Sequence, residues 1–291
     1  MDRPDHFTPQ ATLGLPATPR LGSERLGIVT PLANEEDTIE TFLDQVLPRL
    51  AAEDRVFLVL DNVSRDRTRR KIEDYQDRDP RIALVWAPES RSVVDAYFRG
   101  YREAMAAGMD WILEMDGGLS HDPAEIPRFL QAMQSGAEYA GGTRFSLGGR
   151  YHGPWQRYAI SRGGTFLANL LLGARMRDMT SGFECFSRRA MQYVLDRGVG
   201  SRAHFFQTEI RCFMHRFRWV EVPITYRNPS PSVGAGSLLD ALRNLWRIRA
   251  TRAAEVDLLT FAQRMNRGRP TGGRNVGRRG DWPGHFPSKH Q

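Results

Sequence analysis

The stretch WILEMDGGLSHDP (111–123) carries the reading of the whole chain. It opens with a short apolar run, Trp111–Met115, that suits a strand buried on both faces. Asp116 stands at the end of that run, followed by two glycines. Asp122 and Pro123 then read as the N-cap and first residue of a helix. This is a strand, a polar turn and a helix, and the same grammar recurs upstream.

Leu26–Thr30 is a short apolar strand ending at Pro31. Asn34 reads as an N-cap, with Glu35, Glu36 and Asp37 at the positive end of a helix. Ile39, Phe42, Leu43, Val46, Leu47 and Leu50 share one face of it. Val56–Leu60 is the next strand, with Asp61 at its end, and Arg67–Tyr75 the next helix. Ile82–Trp86 and Val93–Ala107 repeat the pair. Alternating strands and helices, with strands near-continuously apolar, predict a mostly parallel sheet with helices on both faces. The second half is less regular. Trp155–Leu172 reads as a long helix, Glu184–Phe186 as a strand, Gln207–His215 as a helix and Trp219–Val222 as a strand. Leu238–Arg252 reads as an amphipathic basic helix, either packed on the domain or lying at a lipid interface.

These elements set the expected boundaries. Residues 1–24, with Pro4, Pro9, Pro16 and Pro19, are a loose leader with no secretory pattern. Residues 25–230 form one α/β domain, 231–263 a helical extension and 264–291 a disordered basic tail. The net charge of +7 belongs mainly to that tail, where seven basic residues face Asp281 alone. A solvated tail is the first reading, an anionic membrane surface the second and nucleic acid the third, since no nucleic-acid motif is present. Two cysteines without metal-ligand spacing suit a reducing compartment. No apolar run is long enough to span a bilayer.

In open α/β sheets ligands bind beyond the carboxyl ends of the strands. Three polar clusters fall there: Thr30-Pro31 with Asn34 and Glu35; Asp61 to Asp66; and Asp116 to Pro123. On these residues the chain resembles family 2 glycosyltransferases. VTPLANEEDTIE (29–40) is similar to their opening strand and helix, and LVLDNVSRDRT (58–68) to their Asp-Asp-Gly-Ser-x-Asp-x-Thr segment. EMDGGLSHDPAEIP (114–127) resembles the Asp-x-Asp segment of the dolichol-phosphate mannosyltransferase-like subgroup. GGTRFSLGG (141–149), then Trp155, Arg157 and Ser161, then DMTSGFECFSR (178–188), resemble its acceptor-side motifs. FFQTEI (205–210) and VEVPITYRN (220–228) complete a match that keeps its order from about residue 26 to about 250.

The resemblance implies a GT-A (Rossmann-like) fold and an inverting transfer of a sugar from a nucleotide-diphosphate donor to a polyprenyl phosphate, within cell-envelope biosynthesis. It places Pro31, Asn34, Glu35, Asp61 and Asn62 around the nucleotide. Asp116 would face the diphosphate through a divalent cation, Mg²⁺ or Mn²⁺. Arg144, Arg157 and Ser161 would hold the acceptor phosphate, and Asp178, Ser181, Gly182 and Phe183 would form the acceptor loop. Asp116, Arg144 and Glu209 would stand at the reacting centre. A phosphate acceptor is already ionised at neutral pH, so no strong general base is required.

Three departures bear on this. Asn62 and Val63 replace an aspartate and a glycine. Gly118 stands where the second metal carboxylate belongs, so a cation would be weakly held. The final basic motif keeps Arg227 and lacks its lysine. A soluble acceptor is therefore the alternative within the same enzyme class, and a non-catalytic nucleotide-sugar-binding protein the alternative outside it. The expected location is the cytoplasm, with peripheral contact at the inner membrane face as an open extension.

Overall fold

A computed structural model describes residues 22–227 and 239–251 of the chain. Most of the leader over 1–24, all of the tail over 264–291 and both ends of the extension over 231–263 lie outside the described residues. The chain through Arg249 groups as one compact unit; of the second, from Ala250 on, only Ala250 and Thr251 are described.

Seven strands make one sheet. In chain order they are β1 (Leu26–Leu32), β2 (Arg55–Leu60), β3 (Ile82–Trp86), β4 (Trp111–Glu114), β5 (Tyr139–Thr143), β7 (Glu184–Ser187) and β8 (Trp219–Pro223). They lie side by side as β3-β2-β1-β4-β7-β5-β8. A short parallel pair, β6 (Arg150–Tyr151) and β9 (Thr225–Tyr226), stands apart. The first four strands are parallel, as the repeated strand–helix grammar requires. Only β7 runs against its neighbours β4 and β5.

Side chains along each strand alternate between two cores. Val56, Leu58 and Leu60 point to one face with Ile28, Leu113 and Cys185. That face is covered by α1 (Ile39–Val46), α2 (Thr68–Gln76) and α4 (Ile126–Gln134). Phe57 and Val59 point the other way with Val29, Ile112 and Phe186. There they meet α3 (Val93–Ala106), α6 (Arg188–Arg197) and α7 (Phe205–Met214), with Ala168 and Leu172 at the end of α5 (Trp155–Leu172). This is the mostly parallel, GT-A-like sheet with helices on both faces that the sequence predicts.

The differences have local causes. Asn34 does not cap a helix: its φ is +57°, a region asparagine tolerates, and α1 starts five residues later at Ile39. Its amide is spent on the neighbouring loop instead. β5 reads YAGGT and escapes strand propensity because two of its five residues are glycine. Those glycines are needed: a Cβ at Gly142 would lie 2.8 Å from the backbone oxygen of Phe183. α6 was not expected either; its buried residues Ala190, Met191 and Val194 sit in a polar, arginine-rich run.

An eighth helix, α8 (239–251), falls in the expected amphipathic segment. It buries Leu245 and Ile248 in the second core. Asp240 accepts from Ser201 Oγ at 2.6 Å, and Arg247 donates to Glu209 at 2.5 Å. Of the two readings of this helix, packing on the domain is observed. No helix among the described residues is long and apolar enough to cross a membrane.

Candidate active site at the carboxyl edge of the sheet

Parallel register brings the ends of β1, β2 and β4 to one edge, with β1 in the middle. The loops that follow are sewn together by polar side chains. Asn34 Nδ2 donates to the Val63 carbonyl at 3.3 Å, and Asn34 Oδ1 accepts from Arg65 N at 3.0 Å. Asp66 accepts from Glu36 N and from Thr68 N, each at 3.0 Å. Asp61 Oδ1 closes its own turn on Val63 N at 2.9 Å, while Asn62 Nδ2 ties the loop to the Pro88 carbonyl. Among the described residues the two non-glycine positions with positive φ, Asn34 and Leu119, both belong to these edge loops. Backbone held in that region needs over-determining surroundings and concentrates at binding sites.

Asp116 stands at the end of β4 with its side chain about one-third exposed, at 35%. Ser120 Oγ donates to Oδ2 and Ser120 N to Oδ1 at 3.3 Å. His121 Nδ1 lies 3.4 Å from Oδ2, but this contact is no ion pair. Burial lowers the His121 pKa, with Arg144 and Arg211 adding to it against Asp116, so the ring is neutral at pH 7. Its Nδ1 accepts from Asp116 N at 3.3 Å. The ring stacks on Phe183 at 4.9 Å, and Tyr226 tilts against it at 5.6 Å. Gly117 is fixed by packing: a Cβ there would meet Leu32 Cδ2 at 2.1 Å. A Cβ at Gly118 would meet only Glu35 Oε1, at an ordinary contact distance of 3.7 Å.

Because Glu184 pairs with Glu114 in antiparallel register, the chain entering β7 arrives beside Asp116. That chain is the expected acceptor loop, and its geometry corrects several readings. Arg144 does not reach outward. Its Nε and Nη2 grip Asp178 Oδ2 and Oδ1 at 2.7 and 2.9 Å, and both side chains are buried. Burial alone would raise Asp178, but the Arg144 charge and hydrogen bonds, with Arg211 behind them, bring it down to about 2. Phe183 is fully buried against His121 and Phe129. What approaches Gly182 is the end of the Gln207 side chain, which would have to shift to admit a Cβ there. Ser181 is buried as well. Glu209 accepts from Gly200 N at 3.0 Å, Ser201 N at 3.2 Å and Arg247. Through these contacts it ties α7 to the 200–201 turn and to α8.

Beneath the loop lies a group the sequence did not disclose. Arg211 is wholly buried on α7. Its guanidinium holds Glu184 at 2.7 Å, the carbonyls of Gly142 and Ser181 at 3.0 Å each, and the carbonyl of Asp178. It fixes the loop from below. Glu114 is buried beside it, accepting from Tyr101 Oη and from Gln207 Nε2 at 2.8 Å. Burial and the Glu184 charge push Glu114 up to about 8, so it keeps its proton at pH 7. One arginine faces two buried acids, and one acid stays neutral. A charge set among Ile210, Cys212, Phe213 and Met214 was the only available signal.

Arg157 and Ser161 lie one turn apart on α5, both half-buried, on the same side of the helix. Arg157 forms no ion pair among the described residues, and its charge reaches His204. α5 has 18 residues but buries only Thr165, Ala168 and Leu172. Trp155, Phe166 and Leu170 are 73, 68 and 63% exposed, and Tyr158 and Ile160 are exposed beside them.

With this geometry in hand, comparison with known proteins is specific. Residues 27–195 match the family described as glycosyl transferase family 2. The polyprenol monophosphomannose synthase of Mycolicibacterium smegmatis is 29% identical over 72% of this chain and 80% of its own. The undecaprenyl-phosphate mannosyltransferase of Micrococcus luteus is 27% identical over 69% and 83%. Among solved structures, glucosyl-3-phosphoglycerate synthase from Mycobacterium tuberculosis, in complex with Mn²⁺, uridine diphosphate and glucosyl-3-phosphoglycerate, superposes with a TM-score of 0.56. It is 17% identical and covers 79% of this chain and 80% of that one; the likeness is one of fold.

Proposed function

The chain belongs to glycosyl transferase family 2, and from that premise we propose that it is an inverting glycosyltransferase using a nucleotide-diphosphate sugar and a polyprenyl phosphate acceptor. The observation that carries the acceptor class is α5, where the half-buried pair Arg157 and Ser161 lies on a helix whose outer face is bare apolar surface. A phosphate on a long hydrocarbon chain asks for both. The relatives named for polyprenol and undecaprenyl phosphate support the same acceptor.

On the donor side, Asp61 accepts from the base, with Pro31, Asn34, Glu35 and Asn62 lining the nucleotide. Asp116 faces the diphosphate. Among the described residues no three His, Cys, Asp or Glu side chains are gathered as a ready-made metal cage. The donors at this edge are nonetheless oxygens, and Asp116 is open to solvent. That suits Mg²⁺ or Mn²⁺, which complete their shells with phosphate and water. Such a cation would neutralise the departing diphosphate.

On the acceptor side, Arg157 and Ser161 orient the phosphate so that one ionised oxygen faces the anomeric carbon. Arg144 and Asp178 act through the loop they lock. The outer face of α5 touches the lipid surface, with Arg162 beside it. This is a peripheral contact on the side where nucleotide sugars are supplied.

The test compares transfer to a short polyprenyl phosphate with transfer to the matching alcohol, in wild type and Arg157→Ala. Wild type should prefer the phosphate. Arg157→Ala should lose about ten- to a hundredfold in acceptor kcat/KM with donor binding unchanged, since a charged hydrogen bond to phosphate contributes about 1.5–3 kcal/mol. A wild type indifferent to the phosphate replaces this reading with a soluble acceptor.

A further inference from the structure

Gly118 leaves the cation at this edge with one aspartate where two are expected, and the structure shows what stands in the vacant place. A Cβ built on Gly118 meets a single atom within 4 Å, Glu35 Oε1 at 3.7 Å. Glu35 comes from the loop after β1, is partly exposed, and is held there. Its backbone N donates to Thr68 Oγ1 at 2.8 Å, and its Oε2 accepts from Thr38 Oγ1 at 2.5 Å. One carboxylate oxygen is thus pinned, and the other faces the space that a side chain at 118 would fill.

The charge balance points the same way. Neither Glu35 nor Asp116 forms an ion pair with a lysine or arginine among the described residues. Asp116 and Asp66 lie close enough to Glu35 for their charges to act on it. Like charges are gathered at this edge without a protein cation between them. A divalent ion relieves that repulsion and gives each carboxylate an oxygen ligand role.

We propose that Glu35 supplies the second protein carboxylate of the divalent-cation site, in the place that Gly118 leaves open, with Asp116 as the first. The proposal deepens the transferase reading and rests on it. It moves Glu35 from the nucleotide's ribose side to the metal, and makes positions 35 and 118 interchangeable sources of one ligand.

The experiment is a swap. Mn²⁺ binding to the full chain is followed by the paramagnetic resonance of free Mn²⁺, alone and with uridine or guanosine diphosphate, in four proteins: wild type, Glu35→Gln, Gly118→Asp and the double variant. Nucleotide binding is measured separately in chelator. Glu35→Gln should weaken Mn²⁺ at least tenfold, by more than any change in metal-free nucleotide binding, and keep its thermal midpoint. Adding Gly118→Asp to it should restore most of the affinity. Unchanged Mn²⁺ binding in Glu35→Gln overturns the inference, as does a loss confined to metal-free nucleotide binding, or a wild type that binds nucleotide but takes up no Mn²⁺ with or without it. Each of those leaves the donor reading intact. A wild type that binds neither nucleotide strikes the donor reading itself and the inference with it.

Discussion

The two sides of the sheet edge are built on opposite principles. On the β1, β2 and β4 side, the loops are joined by hydrogen bonds and an exposed Arg67–Glu36 pair between partly exposed groups, and among the described residues Asp61, Glu35 and Asp116 form no ion pair with lysine or arginine. On the β7 side, the motif residues are buried and spent on one another: Arg144 on Asp178, Arg211 on Glu184, Phe183 on His121. The first side is poised to bind; the second is locked to shape. A matched motif therefore marks two different duties, and only burial and partners tell them apart.

The locked side should fail by unfolding. Asp178→Ala leaves Arg144 buried without its carboxylate, and losing one partner of such a pair costs about 3–5 kcal/mol. Urea unfolding measures it, and a loss under 1 kcal/mol would erase the distinction between the sides. The pair also has an acid signature. A carboxylate whose folded pKa is depressed contributes stability above its ordinary value of 3.8, and loses it as the pH falls toward about 2. Wild type should lose stability across that window more steeply than Asp178→Ala.

The open side should fail in turnover alone. Asp116→Ala should reduce transfer about a hundredfold or more, because stabilisation of the leaving diphosphate is lost. Its thermal midpoint should stay within about 2 °C of wild type. A folded variant with normal turnover removes Asp116 from the chemistry.

A subtler check concerns the proton kept at Glu114. A carboxyl raised to about 8 holds a proton when folded that the unfolded chain has released, so stability falls as the pH rises from about 4.5 to 8. Glu114→Gln mimics the protonated acid and should melt above wild type at pH 8.5, by about 3 °C or more. At pH 5 the two should coincide. Equal pH profiles would mean that Arg211 neutralises both acids.

Much of the architecture was legible because periodicity and strand-end chemistry are local. Trp155–Leu172 and Ile82–Trp86 match the structure residue for residue. The gathering of Asn34, Asp61 and Asp116 at one sheet edge was legible for the same reason: a polar group ending an apolar strand announces itself. The acceptor side was legible as a motif and misleading as a set of contacts. Arg144, Asp178 and Glu209 are charged, and nothing local reveals that each is tied to a partner 34 or more residues away, for Glu209 in α8. Arg211 was missed for the converse reason: its value lies in three carbonyls brought to it by the fold. Asn34 was misread because a helix cap and a loop staple use the same amide.

The smallest expected effect on the fold lies on the outer face of α5. Phe166→Ser with Leu170→Ser should change stability by no more than about 0.5 kcal/mol each, since the side chains are exposed. Sedimentation with anionic vesicles should nevertheless drop. Unchanged vesicle binding would move the lipid contact elsewhere.

The most direct measurement of the central claim is the stereochemistry of transfer. The full chain is incubated with Mn²⁺, a short-chain polyprenyl phosphate and a panel of uridine and guanosine diphosphate sugars, and the anomeric configuration of the product is read by NMR. The account predicts a sugar joined to the lipid phosphate with its configuration inverted relative to the donor. Retained configuration, or donor consumed only by water with no sugar on the phosphate, would contradict it.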